Sequence, residues 1–569
     1  MKLGNLNNLL ELFFYNYDEQ KNKKIFLLSS LKDPKENYSW QRTYLSIIKL
    51  SNELKKYVDK GDRCLLISEN RPEWFISDLS IMLSKSITVP AYTTYAERDY
   101  EYIINDCKPS VVFVSNSEQF NKVKNIIKNK NFIKKIFSFE KLEQANENEY
   151  TNIHNLFFDL KNENESISKL KIYRKDPACI IYTSGTQGNP KGVILSHGGI
   201  LNNCEGAIDI LKPLILNNET RFLTWLPLSH SYEHTVQFVQ ISVRARIYYA
   251  ESIEKLIKNM NDCSPQIMTA VPRFYQNLYQ KINSSFNKAT GIKRKLIQKM
   301  VNLGLKKIKK EPLDIFEKIQ DKILDKIIRK KIKAQFGGSL KTFVSGGGAL
   351  DREVGLFLNA IGLPTLQGYG LTETSPVVSC NPIDDIRVET VGPPFKGNEV
   401  KIAEDGEILV KGENVMLGYW NNQDETDKVL INGWLHTGDI GTFENNYLKI
   451  TDRKKDILIT PGGDNISPIK IENELVNSEI IEQAVVYGDN KPYLVALLVL
   501  SNENKIHSEE EIKDQINKIN KKLSKIENIK KFFTIKDKFS IENGMLTPTL
   551  KLKRYKIIQK YKINFESLY

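Results

Sequence analysis

The residues from Tyr182 to Gly192 read YTSGTQGNPKG and stand between two short apolar runs. The run before them, residues 178–181, is typical of a buried strand, and the run after them, residues 193–197, leads towards a predicted helix. Glycines let backbone N–H groups approach an anion, hydroxyl groups add donors, and the lysine adds a positive charge. The stretch therefore predicts a loop that holds phosphate. It is not a Walker loop, because glycine follows Lys191 where that motif requires serine or threonine.

Short apolar runs alternate with helical patterns on both sides of this loop. A helix is predicted to begin at Trp40 and to run through Leu54. Residues 140–172 are rich in asparagine and glutamate and are predicted to form an exposed connection. The other predicted elements are strands at residues 63–68, 87–90, 110–114, 222–227, 266–272 and 342–348, and helices at residues 74–84 and 99–106. Strands that alternate with helices predict a doubly wound, parallel sheet.

The pattern changes from Val391 onwards. Short antiparallel strands are predicted at residues 400–402, 406–410 and 447–450. Asp405-Gly406 is a hairpin signal between two of them, and beyond Asp452 the sequence predicts a small α+β unit. Two or more domains are expected, because 569 residues are too many for one core. We place the boundary between residues 1–454 and residues 455–569.

The composition is that of a soluble globular protein, with 41% hydrophobic and 27% charged residues. The six cysteines are scattered without a C-x-x-C pair or zinc spacing, which predicts a reduced, cytoplasmic setting in which they serve as small core residues. The amino terminus has no long apolar segment behind a basic stretch, so no signal peptide is predicted. No run approaches about 20 apolar residues, so no membrane-spanning helix is predicted.

Four further motifs follow the glycine-rich loop in order. They are Gln367–Thr374 (QGYGLTET), His436–Asp439 (HTGD), Asp452–Asp456 (DRKKD) and Leu546–Arg554 (LTPTLKLKR). Together with the loop they resemble the motifs of the adenylate-forming (AMP-binding) superfamily, which includes acyl-CoA synthetases and firefly luciferase. The resemblance covers most of the chain. It implies an α/β fold with a large N-terminal domain of doubly wound α/β/α subdomains and a small distorted β-barrel, followed by a small α+β C-terminal domain.

Two more stretches resemble the long-chain fatty acid–CoA ligase branch of this family. They are Leu226–His234 (LPLSHSYEH) and Thr460–Pro468 (TPGGDNISP). The resemblance implies that a long-chain fatty acid attacks ATP to give an acyl-adenylate and pyrophosphate, and that CoA then takes the acyl group. A fatty acyl-AMP ligase or an acyl–carrier-protein synthetase, which would use a different thiol acceptor, is the alternative. Mg²⁺ is the implied cofactor, with ATP and CoA as co-substrates.

The resemblance assigns most of the site residues to the nucleotide. It implies that Tyr369 packs on adenine, that Thr372 contacts a phosphate and that Glu373 helps to hold Mg²⁺. The alternative for Glu373 is a solvated acid at a helix start. Asp439 would hold the ribose hydroxyls, since two acceptor oxygens match a diol, and Arg453 would reach the ribose. The other residues implied to bind the nucleotide are Thr183, Ser184, Gly185, Thr186, Gly188, Lys191, Gly347, Gly348 and Gly370, of which Thr186 is also implied to contact the metal.

The last motif is implied to carry the catalytic lysine. Family members usually have a glycine directly before this lysine, whereas Leu550 stands there in this chain, as in the T-P-T-x-K pattern of the long-chain branch. We assign the role to Lys551 and keep Lys553 as the alternative, because alternation places both on the same side of a strand. Lys455 is the implied hinge between the domains, although a solvated charged turn would fit its cluster equally well.

Two stretches are implied to contact the acid and the thiol. His230 would lie near the carboxylate of the fatty acid as a catalytic residue, and a hydrogen-bonded core histidine is the alternative. Gly462 and Gly463 would face the pantetheine arm of CoA after a rotation of the C-terminal domain. The carboxylate needs no base to activate it, because it is already ionised near pH 7. What the enzyme must supply is positioning and charge neutralisation.

The positive charge of the chain is concentrated in residues 286–341, where 17 Lys and Arg stand against 5 Asp and Glu. Apolar residues recur there with helical spacing at positions 316, 319, 323, 324, 327 and 328. Such a helix can lie on an anionic membrane surface, and an ordinary surface helix with its lysines in water is the alternative. No nucleic acid is expected as a partner, because no recognised motif or aromatic platform accompanies the charge. We expect a cytoplasmic protein that contacts membranes at most peripherally.

Overall fold

Two eight-stranded sheets, each mostly parallel, form the framework of the N-terminal part of the chain. The computed structural model describes the whole chain except residues 1, 2, 24, 34–36, 144, 147, 159, 161–170, 184–189, 216–218, 502–506 and 548. In the order of strand pairing, one sheet consists of Gly418–Tyr419, Lys191–Ser196, Pro177–Thr183, Ile87–Ala91, Arg63–Ile67, Val111–Val114, Lys135–Ser138 and Thr151–Asn152. The other consists of Val377–Cys380, Thr365–Gly370, Thr342–Ser345, Ile267–Ala270, Arg221–Thr224, Arg246–Tyr249, Phe26–Ser30 and Asn37–Ser39.

Smaller sheets follow towards the C-terminus. A five-stranded antiparallel sheet is built from Glu399–Ile402, Glu407–Lys411, Trp434–Glu444, Leu430–Ile431 and Tyr447–Arg453. Beyond it lie a hairpin of Leu458–Ile459 and Asn465–Ile466 and a three-stranded sheet of Ile481–Tyr487, Leu494–Leu500 and Ile529–Ile535. The change to antiparallel strands therefore occurs where the sequence predicts it.

Helices pack against the large sheets and against the small C-terminal sheet. The helices are Leu9–Gln20, Trp40–Leu54, Pro72–Leu83, Glu97–Cys107, Ser117–Ile127, Ile153–Leu156, His197–Leu211, Ser231–Ser242, Leu256–Cys263, Pro272–Asn287, Gly291–Ile308, Ile315–Leu324, Lys330–Ala334, Arg352–Ala360, Gln423–Val429, Pro468–Val476, Glu509–Asn520, Arg554–Lys560 and Lys562–Glu566. Every residue of Pro72–Leu83 is buried, as expected for a helix that is apolar on most sides. The largest core cluster joins this helix and its neighbours to strands of both sheets.

The predicted helix Trp40–Leu54 is confirmed with the same bounds, and the Ser39 side chain caps it by accepting a hydrogen bond from the Arg42 N–H. The prediction for residues 140–172 was partly wrong. Tyr150 and Ile153 are buried, and a short edge strand joins the sheet between them. Composition did not reveal this, because the few buried apolar side chains, which also include Leu142 and Phe157, stand among polar residues.

Candidate active site

The two ends of the glycine-rich loop lie opposite each other. Thr183 and Lys191 are direct partners across a pair of antiparallel strands, so the loop joins two strands and no helix begins directly after it. This geometry differs from a Walker loop, which leads from a strand into a helix. Four residues predicted to bind the nucleotide, namely Ser184, Gly185, Thr186 and Gly188, lie outside the described residues.

Lys191 has two neighbours that sequence reasoning did not identify. Its ammonium group forms an ion pair with the carboxylate of Glu425 and lies 4.9 Å from the centre of the Tyr419 ring. The Tyr419 hydroxyl donates a hydrogen bond to Glu373 Oε1 at 2.9 Å. Tyr419 thus connects the phosphate loop to the predicted metal residue. The only sequence signal was its place in the short aromatic run Tyr419-Trp420. The structure shows that the strand Gly418–Tyr419 pairs with the strand after the loop.

The Gln367–Thr374 motif forms the end of a strand followed by a single 3₁₀ turn, Thr372–Thr374. Gly370 cannot be replaced there, because a Cβ atom would lie 1.8 Å from the carbonyl oxygen of Pro376. The Thr372 hydroxyl is 3.2 Å from the Ser231 hydroxyl. The turn that carries Thr372 and Glu373 is therefore held against the first turn of the helix that follows His230.

Asp439 is nearly buried and has two side-chain partners. It stands opposite Arg453 in an antiparallel strand pair, and Arg453 Nε lies 3.2 Å from Asp439 Oδ1. The Tyr369 hydroxyl donates to Asp439 Oδ2 at 2.8 Å. Burial raises the pKa of Asp439, and the positive charge of Arg453 opposes that rise. The three residues predicted to contact the nucleoside thus meet at one point.

His230 occupies the N-cap position of the helix Ser231–Ser242. Its Nδ1 accepts a hydrogen bond from the Tyr232 N–H at 3.1 Å. Burial, reinforced by the charge of Lys551, lowers the pKa of His230 to about 3. The imidazole is therefore neutral near pH 7 and carries its proton on Nε2, since Nδ1 is an acceptor.

Lys551 reaches the same site from the C-terminal part of the chain. Its Cε atom lies 3.8 Å from the point that a Cβ on Gly347 would occupy. Burial is the main cause that lowers the pKa of Lys551 to about 8, and Arg453 adds to it, while Asp439 and Glu373 act in the opposite direction. These three charged neighbours are residues of the motifs described above. The charged neighbours of Lys553 are instead Lys556, Asp99 and Arg98.

The conformation of Leu550 accounts for the departure from the glycine pattern. Leu550 has φ +62°, which is the left-handed region that glycine adopts at low cost. The turn is closed by hydrogen bonds from the Thr547 N–H to the Lys551 carbonyl at 2.8 Å and from the Lys551 N–H to the Thr547 hydroxyl at 3.0 Å. Leucine therefore preserves the turn that a glycine would make there. Residues 551 and 553 are not on one strand, so the alternation argument does not apply.

One cavity of about 2910 Å³ connects these residues. Its lining includes the predicted site residues Thr183, Lys191, His230, Gly347, Gly348, Tyr369, Gly370, Thr372, Glu373, Asp439, Arg453, Lys455 and Lys551. Gly462 and Gly463 do not line it and lie on an exposed turn. The structure therefore brings the motifs predicted to bind the nucleotide and the motif with Lys551 to one cavity, whereas the turn with Gly462 and Gly463 lies outside it.

Part of the wall of this cavity is apolar. It is formed by Ala207, Ile210, Leu211, Phe222, Val236, Val239, Ile267, Leu366 and Phe395. Val236 and Val239 belong to the helix that follows His230. A Cβ on Gly206 would lie 2.1 Å from the Phe395 ring, so glycine at this position allows Phe395 to reach the wall. The cavity can therefore hold a polar nucleotide and a long apolar group side by side.

Fold and site together define an enzyme that binds a nucleotide next to an apolar substrate. The chain belongs to the AMP-binding enzyme family, whose profile matches residues 14–420, and the profile of the family's C-terminal domain matches residues 455–569. Named relatives include long-chain-fatty-acid–CoA ligase FadD15 of Mycobacterium bovis, which is 29% identical over 90% of this chain and 88% of its own. Long-chain-fatty-acid–CoA ligase 6 of Mus musculus is 30% identical over 89% of this chain and 78% of its own. The predicted family and its long-chain branch are confirmed.

Solved structures share the fold. The anthranilate CoA ligase AuaEII in complex with anthranoyl-AMP has a TM-score of 0.76 at 20% identity and covers 98% of this chain and 99% of its own. ATP-bound MatB from Rhodopseudomonas palustris has a TM-score of 0.75 at 20% identity, with 98% of this chain and 100% of its own covered. The predicted fold class, with a large N-terminal α/β part and a small C-terminal domain, is confirmed.

Proposed function

We propose that this chain is a long-chain fatty acid–CoA ligase. ATP and the fatty acid give an acyl-adenylate and pyrophosphate, and the thiol of CoA then displaces AMP to give the acyl-CoA. The observation that carries the choice of acid is the apolar cavity wall, which begins beside His230 and adjoins the nucleotide residues. The names of the relatives support the same acid and CoA as the acceptor.

In the first half-reaction the chain supplies charge and position. One carboxylate oxygen of the acid attacks the α-phosphorus of ATP, and the bond from that phosphorus to the bridging oxygen of the pyrophosphate breaks. Lys551 neutralises charge that develops at the reacting phosphate, and Lys191 holds the departing pyrophosphate. The Nε2–H of neutral His230 donates a hydrogen bond to the attacking carboxylate and orients it. Asp439 accepts from the ribose hydroxyls and fixes the nucleoside.

Magnesium fits this site when the nucleotide supplies most of its ligands. Among the residues that the structure describes, no group of three or more His, Cys, Asp or Glu could hold a metal alone. Glu373 offers one carboxylate next to the phosphate loop, and Mg²⁺ commonly binds through one or two carboxylates plus substrate phosphates. Glu373 would hold the ion, with Thr186 as the second predicted contact. When bound, Mg²⁺ would neutralise charge on the phosphates.

The second half-reaction requires the C-terminal domain to move. In the present arrangement Lys551 lines the cavity, whereas the turn with Gly462 and Gly463 lies outside it. We place the domain boundary between residues 454 and 455, so that rotation at Lys455 withdraws Lys551 and brings that turn to the acceptor. The CoA sulfur then attacks the acyl carbon, and the bond from that carbon to the AMP oxygen breaks.

Chain length is the first test of the proposed acid. With CoA present, we expect pyrophosphate release from palmitate or oleate to exceed release from acetate at least tenfold, because each buried CH₂ contributes about 0.8 kcal/mol. A pyrophosphate-release assay over acids from acetate to oleate measures this, with acyl-CoA identified as the product. Val236→Trp should reduce the rate with long acids more than the rate with short ones. A preference for acetate would contradict the proposal.

Adenylation should also depend on the protonation of Lys551. Its pKa is lowered to about 8, so the ammonium form is present below this pH and is lost above it. We expect kcat/KM for ATP to fall by about tenfold per pH unit above pH 8, since this parameter reports the free enzyme. Lys551→Arg keeps its charge and should move the fall to higher pH. An unchanged profile in that variant would assign the titration to another group.

We also propose that the helix beginning at Ile315 contacts anionic membranes. Among the described residues, no helix is long and apolar enough to cross a bilayer. Phe316, Ile319, Ile323 and Ile327 are each between 48% and 77% exposed, so the apolar face faces outward. The opposite face is the buried one and contains Arg329 bonded to Asp321 at 2.7 Å. The outward face is therefore not used for packing.

Lysines beside this face favour an anionic surface over a neutral one. Lys318, Lys322 and Lys326 are exposed and form no ion pair with any residue that the structure describes. Each basic residue near an anionic membrane contributes about 1 kcal/mol. Apolar side chains that enter the interface add to this attraction. The combination fits an enzyme whose substrate partitions into bilayers.

We expect the chain to sediment with vesicles that contain anionic lipid and to be released as salt increases. Changing both Ile319 and Ile323 to Gln should weaken this binding about tenfold or more, because two apolar side chains no longer leave water. Ile563→Gln, at a site that is 85% exposed in another helix, is the matched control. Equal sedimentation with neutral and anionic vesicles would refute the membrane contact.

A further inference from the structure

Glu407 is a buried carboxylate that connects two motifs of the site. It begins the strand Glu407–Lys411 and is 6% exposed. Its Oε1 accepts a hydrogen bond from the Gly438 N–H at 2.8 Å, directly before Asp439 in the strand Trp434–Glu444. Its Oε2 accepts from Lys454 Nζ at 2.8 Å and lies 3.2 Å from His436 Nδ1. The family resemblance implies no role for Glu407 or for Lys454.

Lys454 stands directly before the proposed hinge residue and is held in three ways. Its ammonium group contacts Glu407 and also Asp405 Oδ2 at 2.6 Å. Its backbone N–H donates to the Gly438 carbonyl at 2.9 Å. Lys455 is exposed and forms no ion pair within the described part of the chain. Both the side chain and the main chain of Lys454 are therefore fixed to the N-terminal part of the chain, directly before Lys455.

Glu407 is negatively charged near pH 7, which strengthens its hydrogen bonds to Gly438 and Lys454. Burial would raise the pKa of Glu407, but hydrogen bonds from Lys454, from the Gly438 N–H and from His436 outweigh burial and lower it. The carboxylate is therefore charged near pH 7 and its hydrogen bonds are charge-assisted, which makes them stronger than neutral ones. Neither Glu407 nor Lys454 bonds to Lys551, Glu373 or His230.

We propose that Glu407 and Lys454 are positioning residues that couple the strand segment Gly438-Asp439, which binds the ribose, to the fixed side of the domain hinge. The inference rests on the proposed function and extends it. Glu407 holds Gly438 in the geometry that Asp439 needs. Lys454, clamped by Glu407 and Asp405, fixes the axis about which the C-terminal domain rotates at Lys455. Loss of Lys454 should therefore slow both half-reactions, because each needs the domain in a defined orientation.

The experiment uses the full chain and measures the two half-reactions separately. Adenylation is followed by ATP–pyrophosphate exchange with a fatty acid, and thioester formation is followed from preformed acyl-adenylate and CoA. We expect Lys454→Met to slow both by about tenfold with the KM for ATP little changed, and Lys454→Arg to restore them. Glu407→Gln should in addition raise the KM for ATP by about tenfold, as for the loss of one buried charge-assisted hydrogen bond.

Lys401→Met is the matched control, because Lys401 is an exposed lysine of the same five-stranded sheet that contacts the Trp434 ring at 4.1 Å and does not line the cavity. It should leave both half-reactions within about twofold of the unmodified chain, and thermal unfolding should show each variant folded. The coupling role would be overturned if Lys454→Met kept both rates within twofold of the unmodified chain, or if the control lost as much activity. It would also be overturned if Lys454→Arg failed to restore the rates. Absence of exchange in the unmodified chain would instead refute the proposed function, so the two failures are distinct.

Discussion

Lys551→Ala is expected to lower the rate of acyl-adenylate formation by about 10²- to 10³-fold, the range found when one preorganised stabilising group is removed. Lys551 is the only lysine of the last motif whose charged neighbours are Arg453, Asp439 and Glu373. Without it, the negative charge that develops on the reacting phosphate loses its nearest partner from the C-terminal domain. ATP–pyrophosphate exchange measures the effect directly.

The same variant should largely retain thioester formation from preformed acyl-adenylate, since the proposed domain rotation removes Lys551 from the site before that step. Lys553→Ala is the control, because Lys553 belongs to the same basic motif but lies among Lys556, Asp99 and Arg98. It should change adenylation by less than about tenfold. A comparable loss in both half-reactions, or a larger loss with Lys553→Ala, would show that the assignment to Lys551 is wrong.

Asp439→Ala is expected to raise the KM for ATP by about 10²-fold. Two hydrogen bonds from ribose hydroxyls to a carboxylate would be lost, and bonds to a charged group contribute about 1.5–3 kcal/mol each. Arg453 and Tyr369 would also lose the carboxylate that they contact at 3.2 and 2.8 Å. Steady-state kinetics of pyrophosphate release at saturating fatty acid measures the change.

An ATP analogue without ribose hydroxyls separates recognition from general damage. The unmodified chain should bind this analogue far more weakly than ATP, whereas Asp439→Ala should hardly distinguish the two. This double comparison isolates the contact between the carboxylate and the hydroxyls. Asp439→Asn, which keeps the shape of the side chain, should show an intermediate loss. A penalty of the same size for the analogue in both proteins would place the ribose elsewhere.

Much of the fold could be predicted because its local signals agree with one another. The helix Trp40–Leu54 has an apolar periodicity that matches its buried face, and Ser39 provides its cap. The strands Arg63–Ile67, Ile87–Ala91 and Val111–Val114 are continuous apolar runs, as parallel strands buried on both faces should be. Tyr150 and Ile153 were missed, because so short a segment has no periodicity of its own.

The candidate site was harder to predict, since its residues come from distant parts of the chain. Glu425 and Tyr419 approach Lys191 only because the strand Gly418–Tyr419 pairs with Lys191–Ser196. Glu407 meets Lys454 across 47 positions of sequence. No local pattern marks such contacts, because they depend on how strands are ordered and in which register they pair.

By itself the sequence determined the family and the order of the motifs and predicted a phosphate-holding loop, since these depend on residue types at short spacing. Only the tertiary structure decided which lysine lies beside the nucleotide motifs, because the charged neighbours of Lys551 are Arg453, Asp439 and Glu373, whereas those of Lys553 are Lys556, Asp99 and Arg98. It also decided that the apolar face of the helix beginning at Ile315 faces outward, because Arg329 and Asp321 occupy the buried side. The periodicity of a sequence predicts that a helix has an apolar face, but what that face contacts depends on the elements that pack around the helix.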